Sequence, residues 1–279
     1  MKPDPRFTKL PKSFWATVRS VSQCCGYTER GTGKVKIPSP KQISKAFEKI
    51  GLDPTALDTD VIGKSLLTLL CEYFEYRAHS LNEQVKPLLM DAGQAKQEFQ
   101  ALKRKLKPTC PLPMNKQRGK KKAPAYLTCI VNMLIEAHAR GYPVNYDPRA
   151  LTTVTQNGAP LRTLARRVDG AFPSPINPKA IWEIKEYYHT TTFGSRVAGG
   201  VYETLLDGME IEELHLSENI QVLHYLFLDA RYTWWECGRS YLCRIVDMVQ
   251  MGYVDEVLVG REVIERLPEL VESWVDSMR

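Results

Sequence analysis

Three residues in "RRVDGAFPSPINPKAIWEIKEYY" have the chemistry of a hydrolytic centre: Asp169, Glu183 and Lys185. Side chains alternate faces along a strand, so Glu183 and Lys185 project from one face of "AIWEIKEYY", about 6–7 Å apart. Ile181 and Tyr187 share that face, while Ala180, Trp182, Ile184, Glu186 and Tyr188 take the other. Charges in the middle of an apolar strand are costly unless they are paired or bind something. Asp169 ends the preceding strand candidate, "APLRTLARRVD", and Pro173, Pro175 and Pro178 mark the connection. Antiparallel pairing of these two strands would bring Asp169 across to Glu183. Two carboxylates aimed at one point oppose each other's ionisation unless a cation lies between them. Mg²⁺ suits such a pair, with Mn²⁺ as a substitute, because it takes oxygen ligands and leaves positions for water and a substrate phosphate. The Ile184 carbonyl is a further candidate ligand. Lys185 would orient the attacking water or stabilise its hydroxide.

Asp169, a spacer of 13 residues, and Glu183-Ile184-Lys185 resemble the D…ExK signature of the PD-(D/E)xK nuclease superfamily, and within it the type II restriction endonucleases and related defence nucleases. The resemblance covers residues 123–279. It implies an α/β fold: a restriction-endonuclease-like core with a mixed central sheet flanked by helices. It also implies Asp169 and Glu183 as metal ligands and Lys185 as the catalytic lysine. Val168 stands where the family pattern has a proline that its members often lack. Members often bring a helical glutamate to the metal, which makes Glu136 a candidate; its other reading is a polar-face residue near a helix end. Glu203, on the helix after the motif, is a second candidate, with Gly199 and Gly200 ahead of it where close packing on the sheet is expected.

The implied activity is Mg²⁺-dependent hydrolysis of phosphodiester bonds in duplex DNA at a specific sequence. A homodimer would match a palindromic site, and a cognate DNA methyltransferase would act on the same sequence. Two other readings stay open on this fold: a non-catalytic DNA-binding or regulatory protein, and a nuclease for ends, branches or RNA.

The loop after the motif, "HTTTFGSR", offers His189, Thr190, Thr191, Thr192 and Arg196 as phosphate and groove contacts. Upstream, no acidic residue occurs from Phe99 to Ile135, and Arg118, Lys120, Lys121 and Lys122 crowd that window. The net charge is only +6, so this clustering points to a polyanion more than the total does. "GYTERGTGKV" fails as a phosphate loop: Thr28 stands at the first glycine position and Val35 at the magnesium-binding hydroxyl.

The elements that must position these residues fall into three parts of the 279-residue chain. Residues 1–107 read as a mainly helical N-terminal module, irregular to about residue 36. Residues 108–124 read as a proline-rich basic linker, and 125–279 as the nuclease core of alternating helices and strands. Hydrophobic content of 43% and charged content of 25% are in the globular range. The seven cysteines form no C-x-x-C pair, so reduced thiols and a cytoplasmic location are expected. No apolar run reaches the length of a membrane span, and the first 15 residues hold no apolar signal-like region.

Overall fold

The computed structural model describes residues 1–189 and 194–278. Helix α1 (Lys12–Cys25) buries Phe14, Trp15, Val18 and Val21, a three-to-four spacing inside the stretch expected to be irregular. Helix α2 (Pro40–Lys49) starts at Ser39, which accepts from the Gln42 N–H while the Gln42 side chain accepts from the Ser39 N–H. The stretch read as one second helix opens instead with a tight hairpin, β1 (Asp60–Val61) and β2 (Lys64–Ser65), before α3 (Leu66–His79). Ile62 and Gly63 make the turn at positive φ, 52° and 85°, as a two-residue hairpin loop requires. A π-helical turn (Ser80–Val85) and the short α4 (Lys86–Leu88) lead to α5 (Ala92–Leu106), capped by Asp91.

The proline-rich segment 108–124 is tied down along its length. Met114 bridges to Pro124, the Pro113 carbonyl accepts from the Ala125 N–H, and Pro111 accepts from Asn132 of α6 (Tyr126–His138). Phe99 and Leu102 of α5 share one core with α6 and the sheet. Helix α5 thus packs with the C-terminal part, although the sequence reading placed it before the linker.

The fold is mixed α/β. Strands β3 (Thr153–Gln156) and β4 (Ala159–Thr163) form a separate antiparallel hairpin. The central sheet has the order β5 (Gly170–Phe172), β6 (Ala180–Glu186), β7 (Leu223–Asp229), β8 (Glu256–Val259). β5 is antiparallel to β6 and the other pairs are parallel, so the sheet is mixed. Parallel neighbours need crossovers, supplied by α7 (Ser195–Glu218) and α8 (Arg239–Gln250). Helix α9 (Glu262–Asp276) closes the fold and carries Pro268 inside it. One face of the sheet packs Trp182, Phe227 and Leu258 against α6 and α9, with Trp182 stacked on Trp274 at 5.8 Å. The other packs Leu226, Leu228 and Val257 under α7 and α8.

Candidate active site

The pairing of β5 with β6 builds the site. Gly170 is opposite Trp182, and the Asp169 N–H donates to the Trp182 carbonyl. Asp169, one step before Gly170, therefore faces Glu183, one step after Trp182. Gly170 permits this approach, since a Cβ there would lie 2.0 Å from the Trp182 indole. The strand that delivers Asp169 is not the one expected. "APLRTLARRVD" contributes β4, which pairs with β3, and the chain then bends at Ala165 and Arg166. Residues read as part of the connection, Gly170–Phe172, make the ladder with β6 instead.

Glu183 and Lys185 share a face as the alternation requires, and α7 covers it. Glu183 is fully buried. Its carboxylate accepts from Lys185 Nζ at 2.6 Å and from Arg166 Nη1 and Nη2 at 2.8 and 3.2 Å. Burial alone would raise its pKa, but Lys185 and Arg166 outweigh that and hold it below the usual glutamate value. Burial would likewise lower the Lys185 ammonium, yet Glu183 and Asp169 carry it above an ordinary lysine, so Lys185 is firmly protonated. Asp169 accepts the Ile184 N–H at 2.8 Å. Burial by surrounding protein and the charge of Glu183 push its carboxyl up to about 6. Because Asp169 is exposed to the cleft, water tempers the burial part of that push, and the facing Glu183 is the firmer cause.

Helix α7 adds two carboxylates one turn apart. Glu203 accepts from Lys185 Nζ at 3.1 Å and from Arg166 Nη2 at 3.5 Å. Asp207, fully buried, accepts from Arg166 Nη1 at 2.5 Å. Burial and Glu183 push Asp207 up to about 7. Sequence reasoning named Glu203 but missed Arg166 and Asp207. The i, i+4 spacing of Glu203 and Asp207 was a usable signal; nothing local marks Arg166. Among the described residues, no cluster of three or more His, Cys, Asp or Glu side chains stands ready to hold a metal, and the cations at the centre are Arg166 and Lys185.

A cleft of about 540 Å³ opens over this centre. Asp169, Ile184, Lys185, His189 and Arg196 line it, and so does Lys116 from the basic segment. Thr190, Thr191 and Thr192 lie outside the described residues. Arg118, Lys120, Lys121 and Lys122 are exposed around a 3₁₀ turn at Gly119–Lys121, adjoining the cleft-lining Asn115 through the Lys121 carbonyl. Glu136 is not brought to the carboxylates: it accepts from the Thr109 N–H and hydroxyl and pins the proline-rich segment. Glu186, on the opposite face of β6 from Glu183, has a structural use. It accepts from the Thr128 N–H and hydroxyl at 3.1 and 3.2 Å and so caps the start of α6.

Residues 90–274 match the family described as Domain of unknown function (DUF7687). The chain belongs to the DUF7687 family. Residues 1–84 match a second family, Domain of unknown function (DUF7690). No curated protein and no solved structure matches the chain. The DUF7687 match begins just before α5, as the packing of α5 on α6 would have it, and contains every residue of the candidate site. No helix among the described residues is long and apolar enough to cross a membrane.

Proposed function

We propose that this DUF7687 protein is a Mg²⁺-dependent endonuclease that hydrolyses phosphodiester bonds in duplex DNA, on a restriction-endonuclease-like core. One observation carries the reading: Asp169 faces Glu183 across an antiparallel pair, with Lys185 two residues further on the same face. The parallel crossover through α7 after that strand, and a basic segment beside the cleft, are in keeping with it.

The donor set suits a hard divalent ion. Asp169, Glu183 and the Ile184 carbonyl offer only oxygen, and the two carboxylates face each other. Bound there, Mg²⁺ or Mn²⁺ would supply Lewis-acid polarisation of a phosphoryl oxygen and acidify a water. The remaining work belongs to the chain. Lys185 is an ammonium, so it does not take a proton from water; it stabilises charge developing on the attacking oxygen. Arg196 and His189 at the cleft wall hold the flanking phosphates. Duplex DNA and a second copy of the chain are the proposed partners, in a cytoplasmic setting, with a methyltransferase of the same specificity to protect host DNA.

A second reading has an observation of its own. Both oxygens of Glu183 are already neutralised by Arg166 and Lys185, which a non-catalytic DNA-binding protein on the same fold would also tolerate. Plasmid cleavage in Mg²⁺ against EDTA, with wild type and Lys185→Ala, separates the two. The enzyme reading expects nicking by wild type only, lost in EDTA. Equal behaviour of both proteins would remove the assignment.

A further inference from the structure

The centre holds more carboxylate than the D…ExK pattern accounts for. Among the described residues, Glu183, Glu203 and Asp207 share two cations, Lys185 and Arg166, whose charges Asp169 also feels. Of these, Arg166 is the one more open to the cleft. It stands on a bend between β4 and β5, and its side chain is 23% exposed at the cleft, against 9% for Lys185. Its two ends are held unequally. Nη1 is gripped by Asp207 at 2.5 Å and Glu183 at 2.8 Å, whereas Nη2 has the long contacts, 3.2 Å to Glu183 and 3.5 Å to Glu203. Asp207 is the deep anchor: it is fully buried, and among the described residues its other oxygen, Oδ1, has no hydrogen-bond partner.

We infer that Arg166 is a phosphate receptor of this site, and that a substrate phosphate, by drawing the guanidinium off Glu183, frees the Oε1 that Arg166 alone holds for a divalent cation. The inference rests on the nuclease reading. A guanidinium presents paired donors that match carboxylate and phosphate alike, so phosphodiester oxygens entering beside Asp169 compete directly for Nη2. Nη1 stays on Asp207 as the pivot and gives up Glu183 Oε1 as the guanidinium turns. Until that exchange, the positive charge of Arg166 occupies the place where a cation would neutralise Glu183, and it opposes metal binding. Cation loading is thereby tied to the presence of nucleic acid, and Arg166 acts as a positioning residue for Glu183 as well as a contact.

The test measures Mn²⁺ binding by calorimetry on the full chain, with and without a 12-base-pair phosphorothioate duplex. The proteins are wild type, Arg166→Gln and Arg166→Lys, with circular dichroism to check folding. Arg166→Lys keeps the neutralising charge and loses the paired donors, so it stays informative if Arg166→Gln does not fold. Wild type alone should bind Mn²⁺ weakly and at least tenfold more tightly with the duplex. Arg166→Gln should bind Mn²⁺ at least tenfold more tightly than wild type without DNA and gain little from the duplex; Arg166→Lys should fall between. Duplex affinity in EDTA should drop severalfold in both variants. Unchanged or weaker Mn²⁺ binding in the variants without DNA would overturn the inference, even if wild type cleaves DNA. The predicted Mn²⁺ pattern without cleavage of any duplex by wild type would leave the exchange standing and remove the nuclease reading.

Discussion

Asp169 accepts the backbone N–H of Ile184 at 2.8 Å, so a candidate ligand is fastened to the strand that carries the other two site residues. This bond separates two functions of one carboxyl. Asp169→Asn keeps an acceptor for Ile184 but removes the charge; Asp169→Ala removes both. Both should abolish Mg²⁺-dependent plasmid nicking, by about 10²-fold or more. Only Asp169→Ala should also lose stability, about 1 kcal/mol, read by urea denaturation. Equal stability of the two variants would show that the Ile184 bond contributes nothing.

Gly199, Gly200 and Gly208 of α7 should respond differently to alanine. A Cβ at Gly199 meets open space, so Gly199→Ala should gain up to about 1 kcal/mol from helix propensity. At Gly200 the Cβ would come to 3.1 Å from Lys185 Cδ and the Tyr187 hydroxyl; the lysine stem must shift, so nicking should fall severalfold with little change in melting temperature. At Gly208 the Cβ would lie 2.2 Å from the Tyr253 carbonyl, a backbone clash that should cost about 1–3 kcal/mol. Thermal melts and cleavage rates on the three variants check the order.

Asp229 should make the protein less stable as pH rises from acid to neutral. Burial pushes its carboxyl up to about 7 from 3.8, while it accepts from the Tyr188 hydroxyl and the Met90 N–H. The folded state thus keeps a proton that the unfolded chain releases near pH 4. Its contribution is full below the ordinary aspartate pKa, declines as pH rises toward 7 and is lost above that. Asp229→Asn should flatten this slope. Unfolding free energies between pH 5 and pH 8 give the readout, and an unchanged slope would exclude Asp229 as its source.

The two family regions are joined by a buried ion pair. Arg77 of α3 donates to Asp247 of α8 at 3.1 Å, and Tyr73 donates to the same carboxylate. Removing one partner leaves the other charged and buried, so Arg77→Ala should cost about 3–5 kcal/mol. The double variant with Asp247→Ala should lose less than the sum of the singles in denaturant titrations. Additive losses would mean that the pair is not coupled.

Much of the site was legible in the sequence, and particular residues show where legibility stopped. Alternation along "AIWEIKEYY" put Glu183 and Lys185 on one face and Trp182 on the other, because strand periodicity is a property of the local backbone. The antiparallel approach of Asp169 was also anticipated, but the wrong residues were given the ladder. β5 is only three residues long, Gly170–Phe172, and no hydrophobic pattern of that length competes with the better-looking "APLRTLARR". The hairpin at Ile62-Gly63 was lost inside an apolar run, and α1 was lost behind its prolines. Glu186 could not be explained from β6 alone, since its partner is the first turn of α6, 58 residues away along the chain.

The sequence by itself determined the elements with strong periodicity, the alternating helix and strand order of a mixed α/β fold, and the grouping of Glu183 with Lys185. Each follows from bonds and side-chain directions that act over a few residues. Only the tertiary structure decided what surrounds that pair. Arg166 comes from a bend, Asp207 from the buried face of a crossover helix, and Asp169 from the residue before a three-residue strand. They meet because the sheet register and the packing of α7 gather their charges at one centre, buried at Glu183 and Asp207 and open to the cleft at Asp169. Which carboxylates remain ionised there depends on burial and on the neighbouring cations together, and both are set by the packed fold rather than by any local stretch of chain.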